Sequence, residues 1–214
     1  MRPFPQLLDA AAAQAGHRCA GQVLGVRLAA LGCRLVGLDP DLREQRRRLL
    51  VYVEIDRCAT DAISTVTGCR LGRRTLKFVD FGKMAATFVD GAALEACGEA
   101  PGVRIAARED SREAAARYAP GAPSPEEAQL EAYAVMPDDE LFTVERVVVP
   151  VPTADRPGRP RRRVFCAACG ERVNDSREVA RPTGGVLCLA CAGGAYYRAA
   201  PSATPVGVGV VVGD

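Results

Sequence analysis

Two Cys-x-x-Cys pairs, Cys166-Ala-Ala-Cys169 and Cys188-Leu-Ala-Cys191, lie 18 residues apart near the end of a 214-residue chain. Few sequence features restrict a fold as tightly. Each pair brings two thiolates within reach of one ion, and the intervening loop lets the two pairs close a tetrahedron. Gly170 follows the first pair, where a metal knuckle favours a residue without a Cβ. The second pair opens the stretch 190–197, which reads as a short helix whose N-terminus favours thiolate charge. A module of about 35 residues buries too little apolar surface to fold unaided, so zinc binding supplies its folding energy. All four coordination positions are then taken by protein, which makes the site structural. No strand–CxxC–helix unit of useful length surrounds either pair, and this counts against paired redox dithiols.

The remaining thiols point to a reducing compartment. Nine cysteines are an odd number, so a fully paired disulfide scaffold is excluded. Pro3, Pro5, Gln6 and Asp9 interrupt the start of the chain, where a secretory signal needs an unbroken apolar run. The longest apolar segment, Val23–Leu38, carries Arg27 and Arg34 and is too short to span a bilayer. The expectation is a soluble cytoplasmic protein with reduced thiols and no membrane contact. One histidine excludes a His-rich metal cage, and a net charge of +2 excludes a chain-wide grip on nucleic acid. Only two of the 28 basic residues, Lys77 and Lys83, are lysines, which reads as a composition bias toward arginine. Arg161-Arg162-Arg163 is accordingly read as a solvated run, with nucleic acid retained as the less favoured partner.

Composition divides the chain into a folded region 1–150, a Pro/Arg-rich extended linker 151–163, the four-cysteine finger 164–198 and a small apolar tail 199–214. Within the first region, helices are expected over 6–15, 22–35, 58–67 and 110–118. Another is expected from Pro125 to about Val135, with Ser124 as its N-cap. Gly21 just before the second helix, and Gly25 and Gly32 within it, permit close backbone approach. Strands are expected over 49–55, 103–107 and 141–149, and 76–81 with 85–89 read as a β-hairpin around Gly82. Interleaved strands and helices give an α+β domain with a mixed sheet.

The only histidine stands two residues from a thiol, in His17-Arg18-Cys19, with a helix directly after it. Helix starts are positions where the macrodipole favours thiolate charge. Cys58 follows the first strand and also opens a helix, with Asp61 about one turn on. Two thiols and a histidine at element junctions form a set suited to a metal or a redox reaction. Cys33, in an apolar helix, reads as a packed core thiol. Cys69 lies near the same region, and Cys97 carries no signal. The sequence has no phosphate loop, dinucleotide glycine motif or Ser-His-Asp arrangement.

The string GHRCAGQVLGVRLAALG resembles the opening signature of the formylmethanofuran dehydrogenase FmdE family, His-Gly-His-x-Cys-Pro-Gly followed by a helix with Gly-x-Arg. The blocks from Cys58 to Gly72, Leu76 to Phe88 and Pro137 to Phe142 resemble later family blocks in the same order, and the finger is similar to that of longer members. The resemblance implies a thioredoxin-like mixed sheet flanked by helices, with a treble-clef zinc finger and a homodimeric assembly. It also implies an association with a larger oxidoreductase or molybdenum-enzyme system. It places His17, Cys19 and Cys58 in a candidate metal site for zinc or another transition metal, and Asp61 and Lys83 in matching blocks. Cys19, Cys58, Asp61 and Lys83 are thereby candidates for chemistry. Two departures stand out: Ala15 replaces the family's first histidine, and Ala20 its proline. The expected function is a metal-binding accessory protein that assists an oxidoreductase by metal, sulfur or cofactor handling. The alternatives are a thiol redox enzyme or sensor using Cys19 and Cys58, and a zinc-finger nucleic-acid regulator.

Overall fold

A computed structural model describes residues 1–94 and 98–198, so Cys97 and the tail 199–214 lie outside the described residues. The chain forms two compact units, Met1–Gly158 and a second beginning at Arg159. No described helix is long and apolar enough to cross a membrane.

The first unit begins with helices α1 (Phe4–Ala15) and α2 (Ala20–Leu35), a short α3 (Arg43–Arg48), strand β1 (Leu49–Val53) and α4 (Cys58–Thr67). Strands β2 (Leu76–Phe78), β3 (Ala85–Asp90) and β4 (Glu99–Ala107) follow. Helices α5 (Ser111–Tyr118), α6 (Pro125–Val135) and α7 (Asp138–Leu141) lead into β5 (Phe142–Pro150). The start of α6 is written locally: Ser124 caps it by accepting from the Glu127 amide at 3.2 Å.

The mixed sheet runs in the order β2-β1-β3-β4-β5. Only β1 and β2 are parallel, and the remaining pairs are antiparallel. Alternation along the strands sends Leu49, Val51, Val53, Phe88, Val103 and Ile105 toward the helices, where they meet the apolar sides of α1, α2, α4 and α6. The opposite face buries a smaller cluster of Leu50, Val89, Ala100 and Val151. On that face Glu54 is almost fully buried, and Arg104 meets both its oxygens at 2.8 and 2.7 Å.

The expected hairpin does not form, because β1 lies between β2 and β3. Four of the five β1 residues are buried, so this strand competes best for the sheet interior. The loop around Gly82 is also tied elsewhere: the amides of Phe81 and Lys83 each donate to the Glu54 carbonyl at 3.1 Å. The segment read as an extended linker also differs in its first half. Val151 is fully buried and its amide donates to the Gly98 carbonyl at 2.7 Å. A 3-10 turn at Thr153–Asp155 follows, held by Arg74 and Lys77 on the carbonyls of Ala154 and Asp155. Its prolines exclude regular structure but do not prevent packing.

Helix α2 carries the closest approach in the unit. A Cβ on Gly25 would lie 2.5 Å from the Ala59 carbonyl oxygen and 2.7 Å from its Cα, and one on Gly32 would enter the Phe88 ring. Gly21, by contrast, would make only ordinary contacts. At its middle α2 presents Arg27, which donates to the carbonyls of Tyr133 and Met136 and to Asp138 at 2.7–2.8 Å. Arg34 takes the other Asp138 oxygen at 2.7 Å.

In the second unit, β6 (Arg163–Phe165) pairs with β7 (Arg172–Asn174), and β8 (Val179–Ala180) with β9 (Val186–Leu187), all antiparallel. The helical turn after β9 covers only Ala190–Gly194, shorter than expected, with Gly193 at a φ of 99°.

Two stability measurements follow. Gly25→Ala gains helix propensity but meets immovable backbone, so overpacking of about 1–3 kcal/mol should lower the urea midpoint of the first unit. An unchanged or higher midpoint would contradict the contact. For Asp138, burial alone would raise the carboxyl pKa, but Arg27 and Arg34 outweigh it and the pKa is lowered. The advantage of the native chain over Asp138→Asn is therefore full above about pH 4, the unfolded value, and fades as pH falls through the lower folded value. Parallel urea titrations at pH 7 and pH 3 should show that convergence.

Candidate metal centre

Two side-chain clusters among the described residues can hold an ion. In each, the ligand atoms lie within 4.8 Å of one another. A tetrahedral zinc with bonds of about 2.3 Å to sulfur sets its sulfurs about 3.8 Å apart, so both clusters are near coordination geometry.

The first cluster gathers Cys166, Cys169, Cys188 and Cys191. The turn after β6 delivers one pair and is closed by the Gly170 amide on the Cys166 carbonyl at 2.9 Å. The end of β9 delivers the other pair, and Cys169 and Cys188 Sγ stand 4.0 Å apart. The Cys169 amide, followed by those of Cys188 and Ala168, pulls the Cys166 thiol down to about 6. Cys191, crowded first by Cys188 and then by the other sulfurs, is pushed up to about 12. Four thiols this close cannot all ionise unaided, and a divalent cation removes that conflict. Arg162 beside this cluster pairs with Glu178 at 2.6 Å, and the Arg161 amide donates to Asp175 at 2.8 Å. Part of the arginine run thus organises the finger itself.

The second cluster, in the first unit, joins His17, Cys19 and Cys58. Cys19 is the N-cap of α2 and Cys58 the first residue of α4. The Gly25–Ala59 contact holds these two helices together, which brings their N-terminal thiols side by side. His17 arrives on the loop after α1. That loop is tethered by Thr65 Oγ1 donating to Gln14 at 2.7 Å and by an Arg18–Asp9 ion pair at 2.5 Å. His17 Nε2 lies 3.8 Å from Cys58 Sγ, while Nδ1 lies 3.2 Å from the Ala15 carbonyl. Donation from Nδ1–H to that carbonyl leaves Nε2 with its lone pair toward the thiols, as a metal-ligating imidazole requires. The position where the family signature has a histidine thus contributes a backbone oxygen that orients His17. Burial first, then Cys19, raises the Cys58 pKa.

The other candidates are placed elsewhere. Asp61 is exposed in the first turn of α4 and is not gathered with the three ligands. Lys83 Nζ lies 5.9 Å from the Phe81 ring centre on an exposed loop. Cys69 is fully buried at the opposite end of α4, with Sγ 3.5 Å from the Leu49 carbonyl. Cys33 is a core thiol whose burial pushes it up to about 12. One residue escaped sequence reasoning: Gln22, a turn beyond Cys19, is fully buried and neither atom of its amide has a hydrogen-bond partner among the described residues. Its only signal was the i+3 spacing from Cys19.

Comparison with known proteins supplies the family and the finger type. The sequence model described as "FmdE, Molybdenum formylmethanofuran dehydrogenase operon" matches residues 15–143, which span the whole second cluster. The chain belongs to the FmdE family. Residues 159–197 match the prokaryotic dksA/traR C4-type zinc finger, so the family domain is followed by a four-cysteine finger. A probable S-adenosyl-L-methionine-binding protein of Archaeoglobus fulgidus is 32% identical over 93% of this chain. The chain spans about half of that relative, 54% of its length. The crystal structure of a tungsten formylmethanofuran dehydrogenase FmdE-like protein from Syntrophus aciditrophicus shares the fold. Its TM-score is 0.58 at 18% identity, covering 91% of this chain and 95% of the other.

If zinc organises the finger, a chelator should abolish amide-exchange protection across Arg172–Asn174 and spare β3 and β4 of the first unit. Protection of the finger that survives complete zinc removal would refute this.

Proposed function

We propose that this FmdE-family protein is a metal-dependent accessory factor whose working centre is His17, Cys19 and Cys58. The convergence of one imidazole and two thiols at two helix N-termini carries the reading. Three ligands fit zinc or another transition metal with one coordination position open, unlike the closed four-cysteine finger. Bound there, such an ion would act as a Lewis acid and a template for one incoming ligand. The chain's own contribution is to orient His17 through the Ala15 carbonyl and to hold both thiols at positive helix ends. A bound cation would offset the burial and mutual crowding that oppose ionisation of Cys58.

The proposed partner is a cytoplasmic oxidoreductase served by a homodimer of this chain, with metal, sulfur or cofactor handling as the task. Membership of a family described by a molybdenum-enzyme operon supports this. The name of the archaeal relative makes S-adenosyl-L-methionine a first ligand to try. A recess of about 220 Å³ at the first turn of α4, lined by Val53, Leu71, Leu76 and Phe78 and by the polar Asp56, Arg57, Thr60 and Asp61, is one place for part of it.

The deciding measurement is metal content per chain after purification without chelator. The native chain should hold two equivalents, and Cys19→Ala one. Two equivalents retained in the variant, or one in the native chain, would refute the second centre. The nearness of Cys19 and Cys58 also suits a reversible disulfide. A Cys19–Cys58 crosslinked peptide formed by mild oxidation of the metal-loaded protein would favour that redox reading instead.

A further inference from the structure

Most arginines of the first unit face a carboxylate: Arg2 with Asp41, Arg18 with Asp9, Arg48 with Asp90, Arg104 with Glu54 and Arg108 with Asp110. A composition bias alone would leave such arginines paired or scattered. In one region several arginines without a carboxylate partner gather together. Arg43, Arg46 and Arg47 of α3 and Arg73 of the turn before β2 line a single concave cavity of about 440 Å³, together with Gly68 and Thr75. Among the described residues, no acidic side chain lines it. Among the same residues, Arg43, Arg46 and Arg73 form no ion pair, and Arg47 has only the exposed Glu44 at 3.4 Å on its own helix.

The cavity is constructed rather than incidental. Gly68 ends α4 with a φ of 68°, and a Cβ there would lie 2.6 Å from Arg46 Cδ. The absent side chain gives the Arg46 stem a place to lie, which limits its conformational freedom before any ligand arrives. On the facing loop, Arg70 donates to the Ser64 and Cys69 carbonyls, and Arg74 to the Ala154 carbonyl. These bonds fix the loop from both sides and leave Arg73 between them to face the cavity. Pro157, at the end of the segment folded onto the sheet edge, supplies another wall.

Four guanidinium groups around one recess repel one another, so the arrangement favours an anion that several of them can share. Each guanidinium presents a planar fork that matches phosphate oxygens in pairs. The volume lies within the range of small-molecule sites, about 300–1,000 Å³, and exceeds what one inorganic phosphate fills. No aromatic ring among the described residues lines the recess, so recognition centres on the charged portion of a ligand. We propose that this cleft binds a small anion carrying two or more linked phosphates, as free polyphosphate or as the phosphate chain of a nucleotide. The site is distinct from the His17–Cys19–Cys58 centre. Cys58 opens α4 and Gly68 closes it, and a helix of 10 residues separates the two by about 15 Å.

Isothermal titration of the full, zinc-loaded chain with sodium triphosphate tests this at a fixed ionic strength of about 0.15 M, where diffuse attraction is screened. Zinc content is measured before and after, so that heat from metal extraction is recognised and subtracted. Triphosphate should bind at least about tenfold more tightly than orthophosphate. The double variant Arg46→Gln/Arg73→Gln should lose at least about tenfold in affinity while keeping the zinc content and circular dichroism of the parent. A parallel titration with ATP separates the sources: tighter binding assigns the nucleotide, and equal binding the free polyphosphate. The proposal is overturned if triphosphate does not bind, if orthophosphate binds equally well, or if the double variant retains the affinity. A short single-stranded oligonucleotide that binds through the same arginines while triphosphate does not would also overturn it, in favour of a nucleic-acid backbone.

Discussion

The contact between Gly25 and Ala59 sets the geometry on which the first unit depends. Two helices can approach this closely only where one lacks a side chain, and the Gly25 Cβ position lies within 2.5 Å of the facing backbone. Both helices begin at the same end of this contact, so the thiols of Cys19 and Cys58 converge there. His17 reaches them because Gln14 at the end of α1 is bonded to Thr65 of α4. A chain with a larger residue at position 25 would keep every ligand in its sequence and lose the distance between them.

The two clusters differ in kind for reasons that belong to their surroundings. The finger has almost no core, with Cys166, Val173 and Asp175 as its buried residues among those described, so its fold and its ion are inseparable. The first unit has a large apolar core built from residues outside its cluster. Its three candidate ligands therefore sit at the edge of a core that other residues build. The Nδ1 contact to the Ala15 carbonyl orients His17 through backbone, independently of the side chain at position 15.

Charge follows a similar division. Arginine is abundant enough that no single arginine is informative from the sequence, and the near-neutral total conceals any local excess. Once folded, most guanidinium groups of the first unit meet carboxylates or carbonyls, as Arg27 does in linking α2 to the end of α6. Arg43, Arg46 and Arg73, gathered around one recess without an ion pair among the described residues, stand out against that background.

Local patterns in the sequence determined local structure. The Ser124 cap, the apolar spacing of α2 and the span of α4 are each written in a few adjacent residues, and the two Cys-x-x-Cys pairs fix a tetrahedral cage by their spacing. The sequence also grouped His17, Cys19 and Cys58, first by their places at element junctions and then by family resemblance, but no local rule brings residues 41 positions apart into contact. Strand pairing was decided by tertiary structure. The turn around Gly82 predicts a hairpin, yet the more buried β1 displaces β2 from β3 because sheet position depends on competition among all strands. Cys69 and Val151 show the same limit: one lies at the wrong end of α4 for the site, and the other packs where prolines suggested a free linker. Pattern and spacing act over a few residues and can be read directly. Burial, close approach and the pairing of charges depend on which distant segments meet, and only the folded chain decides that.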